Sequence, residues 1–228
     1  MYIIIILPLL LCGVQLVASN CHSREIEFCT APLILYVQGG DLPTTEEDLD
    51  DVMEVVNDGY HCLLNYTTKC ISPLQREVLD LVTEGISFLI KELGTKGSEI
   101  RKEVLAHAPC VSEAYTKPEI KAAFEDLNVG LESIMNAPFK DRPATICCTL
   151  NRLADSVREI LKAECGEESV KVAEKLIETA VTDFPSIMCA SFPESGSTCA
   201  RLLKPKGTKS DGSKSKFHLI RLLSLSSG

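Results

Sequence analysis

Apolar residues recur every three or four positions through most of the chain, the spacing of a helix that buries one face. Leu49, Val52, Met53, Val56, Tyr60, Leu63 and Thr67 predict a helix over about 46–69. Thr45 and Asp48 form its capping box, and Gly59 is its weak point. Ser72, Pro73 and Gln75 open a second helix, whose stripe of Leu74, Val78, Leu81, Val82, Ile86, Leu89, Ile90 and Leu93 ends where Gly94 can take a left-handed cap. Ser98 opens a third over 99–108, which Pro109 should end or kink. Thr116 and Glu119 repeat the capping logic for a fourth, with Ile120, Phe124, Leu127, Leu131, Ile134 and Met135 on its buried side.

Beyond Pro138 and Pro143, the positions Ile146, Leu150, Leu153, Val157, Ile160 and Leu161 predict a fifth helix that runs to Cys165 and stops at Gly166. A sixth carries Val170, Ala173, Leu176, Ile177, Ala180, Val181 and Phe184 up to Pro185. Only PLILYVQ, residues 32–38, has strand-like composition, followed by Gly39 and Gly40. Six amphipathic faces can be satisfied against one another, so the expected fold is all-α: a disulfide-stapled bundle of about six helices over 20–200, with these stripes as core.

The start of the chain differs in kind. Tyr2 to Val17 is an apolar run followed by Ala18 and Ser19, which reads as a secretory signal peptide over 1–19 although Lys and Arg are missing from its beginning. Its removal takes Cys12 and leaves Cys21, Cys29, Cys62, Cys70, Cys110, Cys147, Cys148, Cys165, Cys189 and Cys199. An even number in a chain entering an oxidising compartment predicts five disulfides and a secreted, extracellular protein with no membrane-spanning segment once mature. Asn65-Tyr66-Thr67 is then a candidate glycosylation site at Asn65.

Helix geometry restricts the pairing. Cys148 and Cys165 would lie about 25 Å apart on one helix, and Cys62 and Cys70 about 12 Å, at 1.5 Å per residue. Disulfide Cα atoms must lie within about 7 Å, so neither pair can form. Cys147 and Cys148 point about 100° apart and suit different neighbours. The fifth helix should be stapled to three separate segments, with the remaining pairings open.

Charge divides the chain. Its net charge is −9 over 228 residues, with 45% apolar content, which supports a core and argues against the whole protein being a nucleic-acid binder. Residues 20–200 hold 16 basic and 31 acidic residues, whereas 201–228 hold 7 and 1. The tail begins KPKGTKS at Lys204 and ends in the apolar FHLIRLLSL, residues 217–225. Its composition predicts a basic, flexible tail over 201–228 that docks transiently on the acidic body and is capable of weak contact with anionic surfaces.

Catalytic and metal chemistry have no sequence signature. His22, His61, His107 and His218 are scattered, and no C-x-x-C or H-x-x-x-H pair suggests zinc. A Cys-Cys pair in a secreted helix invites comparison with phospholipases A2, but the catalytic His and Asp are replaced by Thr149-Leu150-Asn151-Arg152. The acidic run Glu46–Asp51 lacks the alternating ligands and central Gly of an EF-hand loop, and acids already suit a helix's first turns. The expectation is a protein without catalytic residues, metal or cofactor.

Cys147-Cys148-Thr149-Leu150-Asn151-Arg152, with Cys165-Gly166, the Cys189–Cys199 loop and the KPKGTKS tail, resembles a family of secreted, cysteine-rich, mostly helical arachnid proteins of uncharacterised function. The likeness covers mainly residues 140–216. More loosely, the pattern is similar to insect haemolymph glycoproteins and nematode secreted helical domains. In the arachnid family another Cys often follows the pair, and Ser156 occupies that region here, so one staple and its partner are missing together. The resemblance implies no catalytic residues to carry over, and the leading expectation is a non-enzymatic protein that binds an extracellular partner in body fluid or a venom-type secretion. The alternatives are a carrier of a small apolar ligand or lipid, and a hydrolase with an unrecognised site.

Overall fold

The computed structural model describes residues 21–22, 24–38, 42–181 and 184–215; the expected signal peptide lies outside them. In chain order the helices are α1 (Arg24–Gln38), α2 (Glu46–Cys70), α3 (Pro73–Gly94), α4 (Glu99–Tyr115), α5 (Pro118–Asn136), α6 (Arg142–Val181), α7 (Phe184–Cys189) and α8 (Ser197–Leu202). Short 3₁₀ turns occupy Phe139–Asp141 and Gly212–Lys214. The fold is all-α and disulfide-rich, without strands among the described residues.

Local chemistry sets the helix starts. Thr45 Oγ1 accepts from the Asp48 N–H at 3.1 Å while Asp48 Oδ2 accepts from the Thr45 N–H, closing the capping box of α2. Ser72 and Gln75 do the same for α3, and Ser98 Oγ accepts from the Arg101 N–H at the head of α4. Four expectations change. The apolar run 32–38 is helical, because α1 packs along α2 and is pinned to it; a short apolar run fits either structure until a partner decides. α4 continues through Pro109 to Tyr115, carried by burial of Ala114 and the anchor at Cys110. Lys117, not Thr116, precedes α5; Thr116 Oγ1 instead donates to Glu113 O at the end of α4. Gly94 is the last helical residue of α3, and the left-handed position is Gly97, φ 82°.

α6 is the axis of the molecule, against which α3, α4, α5, α7 and α8 all pack. Gly166, at φ 80° and ψ 176°, breaks it into two arms, as the sequence predicts for that glycine. The second arm turns back on the first: Arg158 Nε donates to Glu174 Oε1 at 2.7 Å, and Leu161, Val170 and Ala114 share one buried cluster. A short helix, α7, stands where the sequence predicts termination at Pro185.

Two close approaches fix the packing. A methyl on Gly85 would lie 1.5 Å from Thr179 O of α6, and one on Gly130 would lie 2.3 Å from Thr149 Cγ2. Both sites require a hydrogen where any other residue carries carbon.

The ten cysteines form five disulfides: Cys21–Cys70, Cys29–Cys62, Cys110–Cys165, Cys147–Cys189 and Cys148–Cys199. The first ties the residues just before α1 to the last residue of α2, and the second clamps α1 to α2. The other three all end on α6 and reach α4, α7 and α8, the three-segment stapling expected of that helix.

The region expected as a flexible tail divides. Leu203 is buried, and Arg152 Nη1 donates to Lys204 O at 2.7 Å. Backbone N–H groups of Gly207, Ser210 and Asp211 then donate to Asp126, Glu125 and Glu132 of α5 at 2.8, 2.8 and 3.0 Å. Residues 203–215 are therefore a strap held on α5 by its backbone, which composition alone does not reveal. Residues 216–228 lie outside the described part.

Candidate functional site

Asn65 is exposed on α2, with the Thr67 hydroxyl donating to Leu64 O at 3.0 Å. His22 Nδ1 accepts from the Arg24 N–H, and His61 is exposed beside Tyr60. His107 Nδ1 lies 2.9 Å from Ser169 Oγ, the one His–hydroxyl contact among the described residues. Ser169 is only 2% exposed, and its hydroxyl also bonds Cys165 O at 3.1 Å, so the pair tethers α4 to the break in α6 and its oxygen cannot meet a substrate. No group of three or more His, Cys, Asp or Glu among the described residues is placed to hold a metal. None of their helices is long and apolar enough to cross a membrane.

Arg101 forms a buried polar node with no exposed surface. Its Nε donates to Glu46 Oε2 at 2.6 Å, Nη1 to Leu93 O at 2.7 Å, and Nη2 to Glu46 O and Asp50 Oδ1 at 2.8 and 2.7 Å. Burial alone would lower its pKa, but the hydrogen bonds to Glu46 and Asp50 outweigh that and hold it above the usual value. Asp50 lies below the ordinary carboxylate range because Lys96, 2.9 Å away, and then Arg101 donate to it. Two acids of the run expected to be a solvated helix start thus join α2, α3 and α4. A cation in the first turn of α4 opposes the helix dipole, a sequence signal that acids must come to it from elsewhere.

One exposed apolar row lies along α3; Phe28, Phe139 and Ile187 are exposed elsewhere. Leu74, Leu81 and Phe88 are 71%, 61% and 49% exposed, although the pattern predicts core for the first two, while Leu89 of the same helix is buried. An open cleft of about 530 Å³ runs between α2 and α3, lined by Tyr60, Glu77, Asp80, Leu81, Glu84 and Ser87. None of its three carboxylates pairs with a cation among the described residues. Phe124, Met135, Ile146, Leu150 and Ile177, also expected in the core, are exposed as well.

Comparison of the chain with protein-family models, with curated proteins and with solved structures returns no match. Five disulfides are the chemistry of an oxidising environment.

Proposed function

We propose that the chain is a secreted, extracellular, non-enzymatic interaction protein whose recognition face is the outer surface of α3 beside α2. The observation that carries this is the uncovered stripe of Leu74, Leu81 and Phe88 along a cleft rimmed by carboxylates. Exposed apolar rows on a body otherwise held by five covalent links point to a partner, because rigidity lowers the ordering cost of binding. The cysteine spacing that resembles secreted arachnid proteins agrees with this reading, as do the leader-like start and the sequon at Asn65. The exposed lysines of the strap, Lys204, Lys206, Lys209 and Lys214, add a weak site for anionic surfaces.

The test uses the full chain secreted by a eukaryotic host. Native mass spectrometry should give the oxidised chain without its leader, glycosylated at Asn65 and free of apolar adducts. Photo-crosslinking groups at positions 81 and 88, but not at the exposed position 140, should capture a protein in extracellular fluid. A stoichiometric lipid adduct, with equal crosslinking from all three positions, would replace this reading with a carrier.

A further inference from the structure

Resting on that reading, we infer that the α3 face takes a cationic amphipathic helix from another protein. Leu74, Leu81 and Phe88 stand seven residues apart, two helical turns or about 10.5 Å per step. That repeat suits a second helix lying along α3, because each exposed side chain can enter a space between residues two turns apart on the partner. All three retain roughly half or more of their surface in water, so an occupant has apolar area to remove.

The rim states the sign of the occupant's charge. Glu77 and Glu84 repeat with the same seven-residue step, and Asp80 lies between them. Residues 46–94 hold 11 acidic and 3 basic residues. Three of the five acids at the start of α2 are already used: Asp48 in the cap, Glu46 and Asp50 on Arg101. The rim carboxylates have no such partner among the described residues, so lysines or arginines flanking an apolar stripe complete them, while an anionic helix or an anionic lipid surface is repelled.

The experiment titrates the full, oxidised chain against a fluorescent 14-residue peptide of leucine and lysine, its leucines on one helical face, with a leucine–glutamate counterpart as control. The lysine peptide should bind with an affinity that falls as salt rises, and the glutamate peptide should not bind. Leu81→Lys and Glu84→Lys should each weaken binding about tenfold or more, whereas Leu150→Lys, at an exposed leucine of α6, should leave it unchanged. Unaltered melting of each variant verifies the fold.

Equal binding of both peptides, or binding unaffected by Leu81→Lys and Glu84→Lys, would overturn the inference. So would binding that emerges only in the full-chain variant Leu222→Glu/Leu223→Glu, which would assign the face to this chain's own residues 216–225. If the lysine peptide fails while positions 81 and 88 still crosslink a protein, the interaction reading stands and the cationic class falls.

Discussion

Arg101 reaches Asp50 across 51 residues of sequence, Nη2 to Oδ1 at 2.7 Å, with no part of the guanidinium in contact with solvent. Its polar partners come from the start of α2 and the end of α3, and Lys96, in the loop before α4, pairs with Asp50 from the other side. Glu46 and Asp50 can hydrate when abandoned, being partly exposed, but Leu93 O and the space left by the side chain cannot be made good so easily. Arg101→Met should therefore cost about 3 kcal/mol, at the low end for a broken buried ion pair. Denaturant unfolding of the oxidised protein measures it.

The same node gives acid sensitivity. Asp50 is lowered by Lys96 first and Arg101 next, so its contribution to stability is complete above the ordinary carboxylate range and is lost as pH falls through its own, lower pKa. Asp48, lowered chiefly by the Thr45 hydroxyl, titrates in the same direction. Melting temperature should fall with pH below about 4, and Asp50→Asn should flatten that fall without abolishing it. An identical pH profile in the variant would remove Asp50 from the node.

Gly85 and Gly94 occupy the same helix with opposite surroundings. A methyl at position 85 collides with the backbone of Thr179, while one at position 94 meets nothing within 4 Å. Gly85→Ala should destabilise by about 2–3 kcal/mol through displacement of α3 from α6, whereas Gly94→Ala should be neutral or stabilise by up to about 1 kcal/mol through helix propensity. Parallel thermal melts of the two variants decide this.

Glu132, 3% exposed, accepts the Asp211 N–H through both carboxylate oxygens, at 3.0 and 3.2 Å. Removing that acceptor should free the strap locally and leave the disulfide-bound body intact. Hydrogen exchange should show the amide of residue 211 exchanging about tenfold faster in Glu132→Ala, with little change along α4.

Much of the helical layout is legible from periodicity and caps, because Thr45, Ser72, Ser98 and Gly166 act within a few residues of themselves. The stapling of α6 to three segments is legible for a similar reason: fixed rise per residue decides which cysteines cannot meet. Residues 32–38 are not legible, since Cys29–Cys62 and the approach of Gly59 to within 3.0 Å of Cys29 O, were a methyl added, lie far apart in sequence. The strap escapes composition because α5 holds it by backbone N–H groups, which every non-proline residue offers, while its lysine side chains stay in water. Leu81 shows the limit of stripe reading: apolar periodicity specifies a face that seeks a partner without saying whether this chain supplies one.

The covalent map tests the fold most directly. Non-reducing proteolysis with mass spectrometry of the chain isolated without reductant should return Cys21–Cys70, Cys29–Cys62, Cys110–Cys165, Cys147–Cys189 and Cys148–Cys199, with none of these ten thiols free. Recovery of Cys147 and Cys148 in any bridge that does not lead to the 189–199 segment, or of these cysteines as thiols, would contradict it.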